Sequence, residues 1–176
     1  MNRTSGFAIP LELTMQGVGL NAFAEGFVEM ITRNASETRE LGKALARKLR
    51  PGDVLLLVGE LGAGKTSFAQ GLARGLGVRE RVTSPTFALV REYAGRLPLI
   101  HLDAYRLEGP LDLYEIGVEE YLDGNGVLVV EWGDRVKGFF EPPYLEVKFE
   151  YGSGDDVRRV VFIPVGEGWR KRLSGM

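Results

Sequence analysis

The sequence predicts an α/β protein: a three-layer sandwich in which helices cover both faces of a mainly parallel central β-sheet with antiparallel edge strands. Three observations support this class. Apolar runs of strand length alternate with segments of helical periodicity. Two of these runs end in an acid, Asp103 and Glu131. Two alternating segments, Tyr144–Tyr151 and Val157–Pro164, flank a Gly-Ser-Gly-Asp turn typical of an antiparallel hairpin.

A strand and a helix come first. Residues 27–32 form a short apolar strand, and Asn34 or Ser36, both good N-cap residues, begins the helix. Three leucines lie four residues apart on one face of this helix: Leu41, Leu45 and Leu49. Pro51 and Gly52 are predicted to end the helix with a turn.

The next stretch, VLLLVGELGAGKTSFAQGLARGL from Val54 to Leu76, contains the pattern G-x-x-x-x-G-K-T at Gly59–Thr66. The apolar run Val54–Val58 before it predicts a strand buried on both faces. Apolar residues then recur at helical spacing until Gly77, so a helix opens within the loop. Strand, glycine loop and helix in this order are typical of a P-loop NTPase-like fold.

The residue types of this phosphate loop, defined as Gly59–Thr66, suit a nucleoside triphosphate. Glycines let backbone N–H groups approach phosphate oxygens closely, and the new helix adds unpaired amides and its positive dipole end. Lys65 can reach the β and γ phosphates, and the Thr66 hydroxyl is placed to ligate Mg²⁺. The residues predicted here to contact the nucleotide are Glu60, Leu61, Gly62, Ala63, Gly64, Lys65, Thr66 and Ser67.

The second half of the chain continues the alternation. Residues 81–93 are predicted to be a loop that leads into a strand, and Leu97–Asp103 (LPLIHLD) is a buried strand. Residues 110–122 are predicted to form one helix with Pro110 at its first position. Gly126–Trp132 (GVLVVEW) is another apolar strand, followed by the hairpin.

Asp103 and Glu131 are the acidic candidates for catalysis and metal binding. Ligands of parallel sheets gather beyond the carboxyl ends of the strands, so both acids are expected at the same edge as the phosphate loop. Asp103 follows its strand as a Walker B acid does, which predicts direct or water-mediated contact with Mg²⁺. Glu131 is predicted to orient or deprotonate a water opposite the γ-phosphate. The predicted catalytic residues are Lys65, Asp103 and Glu131, and the predicted metal ligands are Thr66, Asp103 and Glu131. The alternative for each acid is a structural role, either as a helix cap or in a surface ion pair.

Four neighbouring features leave alternatives open. Ser84–Thr86 is either a segment that orders around the γ-phosphate or an ordinary turn. Arg106 neutralises transition-state charge, contacts a partner or pairs with a nearby carboxylate. Trp132 either covers the nucleotide or packs in the core. His101 shares a strand face with Asp103, but a single histidine without Cys or His companions favours a structural role over that of a ligand.

Composition bounds the functional classes. The formal net charge is −2 and the pI is near 5.6, so the chain as a whole does not resemble a nucleic-acid-binding surface. The absence of cysteine excludes disulfides, thiolate metal sites and cysteine nucleophiles. With no long apolar segment and no signal-peptide core, the expected location is the cytoplasm.

Five segments together resemble the bacterial TsaE family, formerly called YjeE: GELGAGKTSFAQGL, SPTFALVREY, HLDAYRL, DLYEIGVEEYL and VLVVEWGDR. The resemblance covers about Thr32 to Phe162. It implies an ATPase required for threonylcarbamoyladenosine (t6A) synthesis in tRNA, stimulated by the partner proteins TsaD and TsaB, with tRNA met only through that complex. It also implies phosphate binding by Gly62, Gly64, Lys65 and Thr66, a metal-side acid at Asp103 and an activity-linked pair at Glu131 and Trp132.

The sequence therefore predicts an Mg·ATP-dependent accessory ATPase domain at residues 28–176, preceded by an extension of unknown role at 1–27. No N/T-K-x-D element is present, which favours adenine over guanine. A small-molecule kinase is the alternative, although the chain lacks a long Arg-rich lid insertion. A nucleotide-dependent binding module without hydrolysis is a third reading.

Overall fold

The computed structural model describes residues 19–22, 26–122 and 124–174. The strands are β1 (Gly19–Ala22), β2 (Val28–Thr32), β3 (Val54–Val58), β4 (Val90–Tyr93), β5 (Leu99–Asp103), β6 (Val127–Glu131), β7 (Tyr144–Tyr151) and β8 (Arg158–Val165). The α-helices are α1 (Ala35–Ala46), α2 (Lys65–Gly75), α3 (Asp112–Glu115), α4 (Glu119–Leu122) and α5 (Trp169–Leu173). Within these ranges, no helix has the length and apolar character needed to cross a membrane.

All eight described strands join one sheet in the order β1-β2-β8-β7-β3-β6-β5-β4. The central strands β7, β3, β6 and β5 run parallel to one another, while β1, β2 and β8 on one side and β4 on the other pair antiparallel. The sheet as a whole is therefore mixed. The prediction of a parallel centre with antiparallel edges is confirmed, but "mainly parallel" holds only for the centre, because the hairpin and β2 extend one flank by antiparallel pairing.

Apolar cores lie on the two faces of the sheet. Leu55 and Leu57 of β3 pack in the core that contains α1 and α2, whereas Leu56 packs on the opposite face with Leu113 and Val118. These five side chains are fully buried, and the continuous apolar run of β3 reflects that burial on both faces. Because β3, β6 and β5 run parallel, the loops that follow them emerge at the same edge of the sheet.

The N-terminal end of α1 shows which of the two possible caps is used. The Asn34 side chain accepts a hydrogen bond from the Glu37 N–H at 2.9 Å, and the Glu37 carboxylate accepts one from the Arg33 N–H at 2.8 Å. The helix ends at Ala46, earlier than the leucine stripe suggested. Leu49 is still buried, because the chain continues past Ala46 in tight turns.

The prediction of one helix over residues 110–122 is wrong. The segment forms two single-turn helices, α3 and α4, separated at Gly117, whose φ of +69° is incompatible with a continuing α-helix. The sequence did not predict α5, which has only five residues, or β1. Strand β1 lies in the predicted extension 1–27 and pairs with β2; residues 1–18 and 23–25 of that extension lie outside the described residues.

The contact between α1 and α2 requires glycine. A Cβ atom on Gly71 would lie 2.0 Å from the Arg39 carbonyl oxygen, and one on Gly42 would lie 2.3 Å from the Phe68 carbonyl oxygen. We expect Gly71→Ala to lower the free energy of unfolding by about 1–3 kcal/mol, because rigid backbone must move. Gly109→Ala is the matched control, since its Cβ would meet no atom within 4 Å. Urea unfolding of both variants checks this, and equal stability would show that close helix contact is not required.

Candidate nucleotide-binding site

A cavity of about 410 Å³ lies beyond the carboxyl ends of β3, β5 and β6. Its lining brings the phosphate loop, both acids and an aromatic wall together: Leu61, Gly62, Gly64, Lys65, Thr66, Ser67, Ser84, Thr86, Asp103, Tyr105, Glu131 and Trp132. Two residues predicted to contact the nucleotide, Glu60 and Ala63, do not line it. Ala63 is fully buried, and its N–H donates to the Glu60 carbonyl oxygen within the loop at 3.2 Å.

The phosphate loop has the backbone shape that its glycines predict. Gly59, Gly62 and Gly64 have φ values of +150°, +77° and +109°. Gly64 is the N-cap of α2 and provides no side-chain cap. The backbone amides in the first turn of α2, an eleven-residue helix, therefore have no side-chain cap. Unpaired amides at a helix N-terminus bind phosphate.

Lys65 is a buried cation held by the loop itself. Its side chain is only 4% exposed, and Nζ donates to the carbonyl oxygens of Gly59 at 2.6 Å and Glu60 at 2.8 Å. Nζ also lies 3.8 Å from the centroid of a Trp132 ring. Burial lowers the pKa of Lys65, although the carboxylate of Glu131 acts in the opposite direction. Such a desolvated ammonium is stabilised by an incoming anion.

The two acids lie side by side but have different partners. Asp103 and Glu131 are paired in register across β5 and β6, and both are buried. Glu131 Oε2 accepts a hydrogen bond from the Thr66 hydroxyl at 3.0 Å. Asp103 Oδ2 accepts one from the Ser84 hydroxyl at 2.5 Å, and Oδ1 accepts one from the Tyr105 N–H at 3.0 Å. Glu131, rather than Asp103, meets Thr66, because β6 is the strand next to β3.

His101 also belongs to this constellation. It is fully buried, and its Nε2 lies 2.9 Å from Glu131 Oε1. The lack of Cys or His companions predicted a structural role for this residue. Strand alternation predicted that His101 and Asp103 share a strand face. The contact of His101 with Glu131 could not be predicted in this way, because it depends on β5 and β6 being neighbours.

The Ser84–Thr86 segment contacts the site directly. Besides its bond to Asp103, the Ser84 hydroxyl lies 3.1 Å from the Thr86 hydroxyl. Thr86 and Leu89 have φ values of +33° and +61°, a region that residues with side chains seldom adopt. Strain of this kind clusters at ligand sites and switch segments.

Aromatic side chains form one wall of the cavity. Trp132 has a φ of +60°, directs its ring over Lys65 and packs on Tyr105 with 5.0 Å between ring centroids. Tyr105 is a wall residue that sequence reasoning did not single out. Arg106 stacks on the exposed Phe87 ring at 4.3 Å and makes no ion pair within the described part of the chain.

Comparison with known proteins places this geometry in a family. A family model described as "Threonylcarbamoyl adenosine biosynthesis protein TsaE" matches residues 32–160. The chain belongs to the TsaE family. The matched span includes the phosphate loop, both acids, His101 and Trp132.

Curated TsaE proteins are similar over most of their length. The protein from Bacillus subtilis named "tRNA threonylcarbamoyladenosine biosynthesis protein TsaE" is 43% identical over 77% of this chain and 84% of its own. The TsaE protein of Streptomyces coelicolor is 44% identical over 74% and 93%, and that of Treponema pallidum is 49% identical over 60% and 78%. The crystal structure of Bacillus subtilis YdiB superposes with a TM-score of 0.74 at 34% identity, covering 88% of this chain and 96% of that one.

Proposed function

We propose that this TsaE-family chain is an Mg·ATP-dependent accessory ATPase of t6A synthesis in tRNA, built on a P-loop NTPase-like three-layer sandwich. The observation that carries the proposal is the meeting, in one cavity, of an uncapped helix N-terminus, the Lys65 ammonium and the Thr66–Glu131 contact. Together these supply phosphate-binding amides, a positive charge and oxygen ligands for a hard cation.

The residues present fit a magnesium ion. Mg²⁺ prefers oxygen ligands, keeps several waters and uses one or two protein groups together with substrate phosphates. Thr66 and Glu131 are those groups here. Across the described ranges, no cluster of three or more His, Cys, Asp or Glu residues suits a metal, and the proposed site would be completed by substrate phosphates and water. An ion held by these residues would neutralise phosphate charge.

The remaining side chains have roles that follow from their contacts. When ATP binds, Lys65 Nζ donates to β- and γ-phosphate oxygens in place of the carbonyl oxygens of Gly59 and Glu60. Asp103 orients a water for attack on the γ-phosphorus and accepts its proton as the bond to the ADP oxygen breaks, leaving ADP and phosphate. Ser84 links Asp103 to a strained loop, so that loop movement changes the position of the carboxylate. Trp132 shields the ammonium from water.

Exposed apolar side chains favour a protein partner at the mouth of the cavity. Leu61 in the phosphate loop is 79% exposed and Phe87 beside Arg106 is 82% exposed. Large apolar side chains in solvent around a ligand site are typical of interaction surfaces. We therefore propose that the family's partners, TsaD and TsaB, stimulate hydrolysis in the cytoplasm, and that tRNA is met through them.

Hydrolysis of γ-labelled ATP tests this function. We expect slow release of free phosphate by the purified chain, and faster release when TsaD, TsaB and tRNA are added. A labelled small molecule in place of free phosphate would support the kinase instead. Nucleotide binding without phosphate release under any of these conditions would identify a binding module.

A further inference from the structure

We infer that His101 is a positioning residue: its Nε2–H donates to Glu131 and holds that carboxylate against Thr66. The role in nucleotide chemistry rests on the proposed function, but the hydrogen bond itself does not. His101 does not line the cavity, and its side-chain hydrogen bond goes to Glu131, so we infer that it acts through that carboxylate.

Glu131 is held from both sides. Oε1 lies 2.9 Å from His101 Nε2, on β5, and Oε2 accepts the Thr66 hydroxyl at 3.0 Å, at the start of α2. His101 is 0% exposed and Glu131 is 3% exposed. A buried carboxylate with one oxygen unpaired is costly, and a side chain with three rotatable bonds adopts other rotamers unless both oxygens are fixed.

The second nitrogen of the ring decides the tautomer. Nδ1 is buried and has no hydrogen-bond partner among the described residues. A proton on Nδ1 would be an unsatisfied buried donor, and with Nε2 bare it would set an imidazole lone pair against a carboxylate lone pair. With the proton on Nε2, which lies 2.9 Å from Glu131 Oε1, the ring has no unpaired N–H.

The chain contains one histidine, so imidazole nitrogen NMR reads this tautomer without assignment ambiguity. On the full-length, nucleotide-free protein we expect a pyrrole-type Nε2 with a slowly exchanging proton and a pyridine-type Nδ1. A proton on Nδ1 with Nε2 bare, or averaged nitrogens, would overturn the inference. This measurement requires no variant and no activity.

Two substitutions separate positioning from core filling. In His101→Gln the amide nitrogen stands about where Nε2 does and can donate to Glu131, whereas His101→Leu fills the space without a donor. We expect His101→Leu to weaken the Mg²⁺ dependence of ATP-analogue binding roughly tenfold, and His101→Gln to recover most of it. Equal Mg²⁺ dependence in the two variants would show that His101 only fills the core.

The outcomes distinguish this inference from the proposed function. If the expected tautomer is found and no condition yields phosphate release, the hydrogen bond stands and the ATPase proposal fails. If ATP is hydrolysed but Nδ1 carries the proton, the ATPase proposal stands and the positioning role fails. Urea unfolding of His101→Leu and His101→Gln without nucleotide shows whether a weaker Mg²⁺ dependence reflects a destabilised fold rather than a changed site.

Discussion

Lys65→Ala is expected to remove most of the thermal stabilisation that ATP confers on this protein. Among the described residues, the buried ammonium hydrogen-bonds to two loop carbonyls and faces an aromatic ring, so a phosphate would be its first directly hydrogen-bonded anion. Losing two charge-assisted hydrogen bonds costs about 3 kcal/mol, or roughly 100-fold in Kd. A ligand present at about 100 times its Kd stabilises the native state by about 2.7 kcal/mol, and a 100-fold weaker Kd reduces this gain to about 0.4 kcal/mol.

Thermal unfolding with and without ATP and Mg²⁺ provides the measurement. Lys43→Ala is the matched control, because Lys43 lies on α1 in an exposed pair with Glu40 and does not line the cavity. The control should keep the full nucleotide-dependent shift. If Lys65→Ala keeps it as well, the nucleotide binds elsewhere, and the whole assignment of the site fails.

Glu131→Gln and Asp103→Asn are expected to fail at different steps. Glu131 accepts the Thr66 hydroxyl, so removal of its charge should weaken Mg²⁺-dependent nucleotide binding roughly 10- to 100-fold. Asp103 bonds to Ser84 and to a backbone amide instead, so Asp103→Asn should bind Mg·ATP normally but lose about 10²- to 10⁴-fold in turnover. Each substitution keeps the shape of its side chain.

Magnesium titrations of nucleotide affinity and steady-state phosphate release, measured on the same preparations, separate the two roles. Glu40→Gln, an exposed acid on α1, is the control for loss of one negative charge. The reverse pattern, with affinity lost in Asp103→Asn and turnover alone lost in Glu131→Gln, would restore the assignment that the sequence alone suggested.

Local patterns predicted the elements whose signals are local. The run Val54–Val58 and the glycines after it specify a strand, a loop and a helix start, since each step depends on neighbouring residues only. The segment 110–122 shows the limit of this reasoning. Its apolar spacing is compatible with a single helix. Gly117 adopts a positive φ, however, and the segment folds as two separate helical turns. The short strand β1 and helix α5 carry too few residues for a period to emerge.

The sequence by itself determined the phosphate loop, the two acids at strand ends, and the resemblance to the TsaE family that the comparisons confirmed. Only the tertiary structure decided which acid contacts Thr66, and that His101 contacts the same acid. The reason is that strand order is a long-range property. Because β6 inserts between β3 and β5, Glu131 reaches Thr66 on one side and His101 on the other, although 65 and 30 residues of chain separate those pairs.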